Sequence, residues 1–148
     1  MNTVKHLKGL SWQLLRKRPF LLKAAPYFPA VIAASWMGTY LDLYFVGRNL
    51  YEFPLRPFPD IFPINVAFTL FVLPLFTGLF LFLMNKMRKW GRAFFILFVS
   101  LIMPVVEKAS ELWGVFKHSN GWNHGYSFFG YYLFLILIWG IFKRSKEK

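Results

Sequence analysis

Three ionisable side chains, Glu107, Lys108 and Glu111, stand where a membrane-spanning stretch ought to be apolar, inside the run from Pro104 to Gly114. A charge at the bilayer centre costs about 2.5–3.5 kcal/mol on insertion scales, so such residues mark a place where something offsets that cost. On a helix Glu107 and Glu111 share one face, four residues apart, and Lys108 is close enough to Glu111 to pair with it. Pro104, one turn earlier, can bend the helix and open a polar cavity beside them. Carboxylates gathered this way can hold a cation, a proton or a polar ligand, and Asp42, near the far end of another apolar run, can join them. The plainer alternative has Lys108 and Glu111 snorkelling to the interface. Glu107 alone is then buried, hydrogen-bonded to a neighbouring helix.

The residues that follow, Lys117 to Gly125, contain Asn120-Gly121, a strong tight-turn signal, with Trp122 as an interfacial anchor. Asn120, Trp122 and His124 complete the candidate pocket. A metal version would add His118 and His124 to the carboxylates, but their spacing matches no recognised ligand motif, and no metal site is expected. Nothing else offers catalytic chemistry. The chain has no cysteine, and it carries no G-x-S-x-G elbow, no H-E-x-x-H and no P-loop. Arg48 and Arg56 beside Asp60 are the nearest approach to a phosphotransfer set. The expectation is a non-catalytic protein without a cofactor.

The elements that must position these residues follow from the apolar runs. Of 148 residues 57% are hydrophobic and 22% aromatic, against 16% charged, whereas soluble domains average about 45–50% apolar and about 25% charged. The chain therefore reads as an all-α polytopic membrane bundle with four transmembrane helices, over about 26–46, 61–84, 93–116 and 126–142, in one domain from 24 to 148. Residues 1–23 are too polar to span. Val4, Leu7, Leu10, Leu14 and Leu15 fall on one side of a helical wheel and basic residues on the other, which predicts an amphipathic helix lying in the headgroup plane. The apolar character continues past Ser35 to Val46, longer than the about 7–15 residues of a removable signal core, so the first span is expected to be retained. Residues 47–63, with Pro54, Pro57, Pro59 and Pro63, read as a stiff extended link.

The net charge of +12 could point to nucleic acid, but the basic residues punctuate the apolar runs instead of mixing with polar surface. Lys5, Lys8, Arg16, Lys17 and Arg18 precede the first span. Lys86, Arg88, Lys89 and Arg92 fill the second turn, and Lys143 and Arg144 follow the last span. Fourteen of the eighteen Lys and Arg fall on one side, which predicts both termini in the cytoplasm and attraction of that face to anionic lipid. No nucleic-acid partner is expected. The acidic residues Asp42, Glu52, Asp60, Glu107 and Glu111 all map to the opposite side. Orientation rules do not require that asymmetry.

Glu107, Gly114, Lys117, the string Asn120-Gly121-Trp122-Asn123, and Ser127 together resemble a family of small, uncharacterised multi-pass membrane proteins of spore-forming Gram-positive bacteria, known by a CBO-type locus name. Asp42 and the Tyr51-Glu52-Phe53-Pro54 segment are weaker echoes, and His124-Gly125-Tyr126 departs from the pattern. The resemblance covers about residues 93–148. It implies a small helical protein of a bacterial cytoplasmic membrane and carries no activity to transfer. The expected function is to bind a partner, lipid or small polar ligand at the outer leaflet through the Glu107/Glu111 region. The alternative is a proton- or cation-coupled carrier or channel. Four short spans are too thin to enclose a wide aqueous path, so the carrier needs a homo-oligomer or a membrane-protein partner.

Overall fold

The computed structural model describes residues 23–120 and 122–147. Helix α1 is Tyr27–Gly47, β1 is Tyr51–Glu52, and a π-helical turn at Phe68–Val72 leads into α2, Leu73–Lys86. Helix α3 is Lys89–Leu112, β2 is Lys117–His118 and α4 is His124–Lys146. The protein is mostly helical, and among the described residues three stretches are long and apolar enough to cross a membrane: Phe68–Lys86, Lys89–Leu112 and Gly125–Lys146. Helix α1 is as long, with 21 residues, but is not among them. Trp36, Gly38, Thr39, Tyr40, Asp42 and Tyr44 dilute its aliphatic content. Apolarity thus marks three spans and not the expected four. The amphipathic helix expected over 1–23, with Lys5, Lys8, Arg16, Lys17 and Arg18, lies outside the described residues except for its last position.

Local chemistry sets the helix ends. Asn65 accepts the Phe68 N–H at 3.1 Å and starts the second helical stretch several residues later than expected. Pro74 brings no N–H to the ladder, and the chain passes it with the π-helical turn just before, a feature common at functional sites. Helix α3 stops at Leu112 and not near 116, because Gly114 takes a left-handed φ of 70°. Its N–H donates to the Glu111 carbonyl and that of Val115 to the Ser110 carbonyl, both at 3.0 Å. This paired closure is the Schellman motif, and it favours glycine because the conformation crowds a Cβ. Asn123 caps α4 by accepting the Gly125 N–H at 2.9 Å.

Close packing joins α1 to α2, α1 to α4 and α3 to α4, whereas α2 and α3, though joined by a short turn, form no closely packed pair. The dry core fills the half of the bundle nearest that turn, where Ala30 and Ala34 of α1 meet Phe80, Leu81, Met84, Ile96, Leu135, Ile138 and Phe142. Small residues allow the backbones to approach there. Lys86, Arg88, Lys89, Arg92, Lys143 and Arg144 stand at this same end. Arg92 donates to the Met84 carbonyl at 3.0 Å and lies over the Trp139 ring. Outward-facing positions such as Leu75, Phe94 and Val105 are exposed, as lipid-facing positions are.

The opposite end is closed by a two-stranded antiparallel cap in which Tyr51 faces His118 and Glu52 faces Lys117. Both segments read in the sequence as connections. The Ser119 N–H extends the cap to the Leu50 carbonyl at 2.9 Å, and Lys117 pairs with Glu52 at 3.3 Å. Arg56 is structural: its guanidinium donates to the carbonyls of Phe53, Pro59 and Phe62 and folds the proline-rich link around itself.

Candidate functional site

Away from the dry core, the four helices part around a cavity of about 740 Å³, inside the about 300–1,000 Å³ range of ligand sites. Its walls are apolar, with Leu41, Leu73, Phe76, Ile102, Met103 and Phe134 among them. Its capped end is polar, lined by Asp42, Tyr51, Glu107, Trp122, Ser127 and Tyr131. Two glycines bound the space differently. A Cβ at Gly38 would collide with the Leu73 side chain, so α1 and α2 approach closely there, whereas a Cβ at Gly130 would meet nothing within 4 Å.

Glu107 is held from α4 and from the cap. Its Oε2 accepts the Ser127 hydroxyl at 2.6 Å, Ser127 accepts the Trp122 indole N–H at 3.2 Å, and the Tyr131 phenol also reaches this carboxylate. His118 Nε2 lies 3.6 Å from the same oxygen. The other ring nitrogen of His118, Nδ1, is 2.6 Å from Glu111 Oε1, which also accepts the His118 backbone N–H at 3.1 Å. Lys108 closes the series at 2.9 Å from Glu111 Oε2. From chamber to surface the groups thus run Glu107, His118, Glu111, Lys108. The side chain of His118 is 5% exposed and that of Lys108 63%. The imidazole is stacked on Trp122, centroids 5.1 Å apart and planes within 16°, with Phe116 edge-on at 4.5 Å. The chain reversal at Gly114 turns His118 back onto the helix that carries Glu111.

Asp42 occupies the facing wall. Its Oδ1 accepts the Tyr51 hydroxyl at 2.6 Å, while its Oδ2 is buried and has no hydrogen-bond partner among the described residues. Burial, then the charge of Asp42, pushes the Tyr51 phenol well above its ordinary range, so Tyr51 stays protonated and acts as the donor.

Of the residues singled out by sequence, Asp42, Glu107 and Trp122 converge on one chamber. Glu111 sits behind the wall and joins them through His118. Lys108 and Asn120 are not pocket residues. Lys108 is drawn outward by Glu111, and Asn120 is exposed on the reversal and absent from the chamber lining. His124 is the first residue of α4. Tyr51 is not marked in the sequence as a partner of the carboxylates, His118 is set beside them only as a metal ligand, and Tyr131 is not marked at all. One signal for the first two was available, since the oppositely charged Glu52 and Lys117 are the immediate neighbours of Tyr51 and His118. Among the described residues no group of three His, Cys, Asp or Glu side chains is placed to hold a metal ion. The chamber thus combines apolar walls with two carboxylates at its capped end.

Comparison with protein-family models, curated proteins and solved structures finds no match for this chain.

Proposed function

We propose that the protein is a non-catalytic, multi-pass membrane protein that binds a membrane-borne amphiphile. The apolar part of the ligand occupies the chamber and its polar head lies at the Asp42/Glu107 end. The observation that carries this reading is the coincidence of a 740 Å³ apolar-walled cavity with two half-buried carboxylates at one end of it. In this reading such a molecule enters from the bilayer through the α2–α3 flank toward the capped end, beyond the point where Phe80 stacks on Phe95 and closes it.

In this reading α1 crosses as a fourth span despite its polar residues, because its neighbours shield Asp42. Both termini are cytoplasmic by the basic asymmetry, and the basic residues of the N-terminal segment add to the attraction of that face to anionic lipid. The acidic end then faces the outer leaflet of a bacterial cytoplasmic membrane, in keeping with the resemblance carried by Glu107, Gly114 and the Asn120–Asn123 string. The Glu107–His118–Glu111 series favours a second reading, a proton- or cation-coupled carrier acting as an oligomer. Ion flux through liposomes that Glu107→Gln abolishes would select the carrier.

The binding reading is tested by photolabelling the protein in nanodiscs with a dodecanol bearing a diazirine in its chain. Adducts are expected on chamber residues such as Leu73, Phe76 and Met103, and they should disappear in Gly130→Phe, placed where an added Cβ meets nothing within 4 Å. Adducts spread over Leu75, Phe94 and Val105, with no response to Gly130→Phe, would refute it.

A further inference from the structure

Net charge and chamber charge have opposite signs. The chain carries +12 overall, yet among the described residues the charged side chains of the chamber lining are two carboxylates, Asp42 and Glu107, with no Lys or Arg in the lining and His118 Nε2 behind Glu107 at 3.6 Å. The cations of the capped end are engaged elsewhere: Lys108 with Glu111, Lys117 with Glu52, Arg56 with backbone carbonyls and Arg48 over the Tyr44 ring. Asp42 Oδ2 is a buried acceptor with no donor among the described residues. Burial without a donor costs about 1–3 kcal/mol, more for a charged group, so the site is one donor short. Around the same end stand ring faces and edges. Trp122 packs against Phe45 at 5.6 Å, Tyr51 at 5.9 Å and Tyr126 at 6.1 Å, and all four line the chamber. Aromatic rings grouped in this way attract an organic cation through their quadrupoles.

We infer that the chamber is selective for an alkylammonium amphiphile, whose N–H donates to Asp42 Oδ2 and whose positive charge sits between Asp42 and Glu107 with its chain along the apolar walls. This rests on the binding reading above and specifies its ligand. An anionic amphiphile meets two like charges. A neutral alcohol can supply the hydrogen bond without the charge, and a quaternary ammonium the charge without the hydrogen bond.

The test is displacement of the diazirine-bearing dodecanol from wild-type protein in nanodiscs, with competitors compared at equal mole fraction in the bilayer at neutral pH. Dodecylammonium is expected to displace the label at a concentration about tenfold or more below that of dodecanol, the size of one charge-assisted hydrogen bond. Dodecyltrimethylammonium should fall between them, and dodecanoate should not compete. Asp42→Asn, which preserves shape, is expected to bring dodecylammonium and dodecanol to within about threefold of each other. Glu107→Gln keeps the acceptor for Ser127, and it should narrow the gap in the same direction. If the label enters the wild-type chamber but dodecanol and dodecylammonium displace it equally, the cation selectivity is wrong and the binding reading stands. If no label reaches the chamber, both fail.

Discussion

Replacing His118 with alanine should be among the most damaging changes at the capped end. The imidazole is 5% exposed and sits 2.6 Å from Glu111 Oε1 and 3.6 Å from Glu107 Oε2. A hydrogen bond to a charged group contributes about 1.5–3 kcal/mol, and the stacked contact with Trp122 adds about 0.5–1.5 kcal/mol. His118→Ala is therefore expected to destabilise the protein by about 2–4.5 kcal/mol, partly because Glu111 and Glu107 are left facing each other across the vacated space. Lys117→Ala is the internal control. Its pair with Glu52 is exposed on both sides, 69% and 61%, and such pairs contribute about 0–1 kcal/mol. Both variants are to be measured by reversible unfolding in mixed micelles, following helicity by circular dichroism as the denaturing detergent fraction rises. If His118→Ala costs no more than Lys117→Ala, the buried bridge between the two glutamates has no energetic role and the description of the cap is wrong.

Two further outcomes use the same unfolding assay. Gly114→Ala should cost about 1–2 kcal/mol, since a Cβ is disfavoured at its φ of 70°, and Gly114→Asn, which tolerates that conformation, should cost less. For Tyr51 the folded-state pKa lies above the unfolded value of about 10. Its contribution is therefore complete below that pH and is lost as the pH climbs from there towards the folded pKa. Wild-type stability should fall from about pH 10 upward, and in Tyr51→Phe the slope should be shallower by one proton, about 1.4 kcal/mol per pH unit; parallel slopes would contradict the buried, protonated phenol.

The parts of the site legible in sequence were those expressed within one element. The four-residue spacing of Glu107 and Glu111 and the pairing of Lys108 with Glu111 are local. The convergence of Asp42 with Glu107 depends on α1 and α3 each packing against α4, which periodicity does not encode. His118 is set beside the carboxylates in the sequence only as a metal ligand, because its contact with Glu111 is made by the chain folding back at Gly114, and the strands that fix it are two residues long, too short for any alternation to show. The end of α3 was placed too late for the same reason: apolar residues continue to Phe116, and only the backbone preference of a single glycine stops the helix. The weak apolarity of α1 has a local cause in its aromatic and hydroxyl side chains. These include Tyr44, over which Arg48 rests, and Tyr40, stacked on Trp36.

The bond between Ser127 and Glu107 spans 20 residues, and its two ends belong to different helices. A chain made from its N-terminus at about 5–20 residues per second exposes Glu107 for about 1–4 s before Ser127 exists. Tyr131 follows later still. During that interval α3 carries a carboxylate whose lasting partners have not been synthesised, so it has reason to wait at the insertion machinery until α4 arrives. The last two helices should therefore enter the bilayer together as a hairpin, and a chain interrupted between residues 112 and 124 should leave α3 poorly inserted.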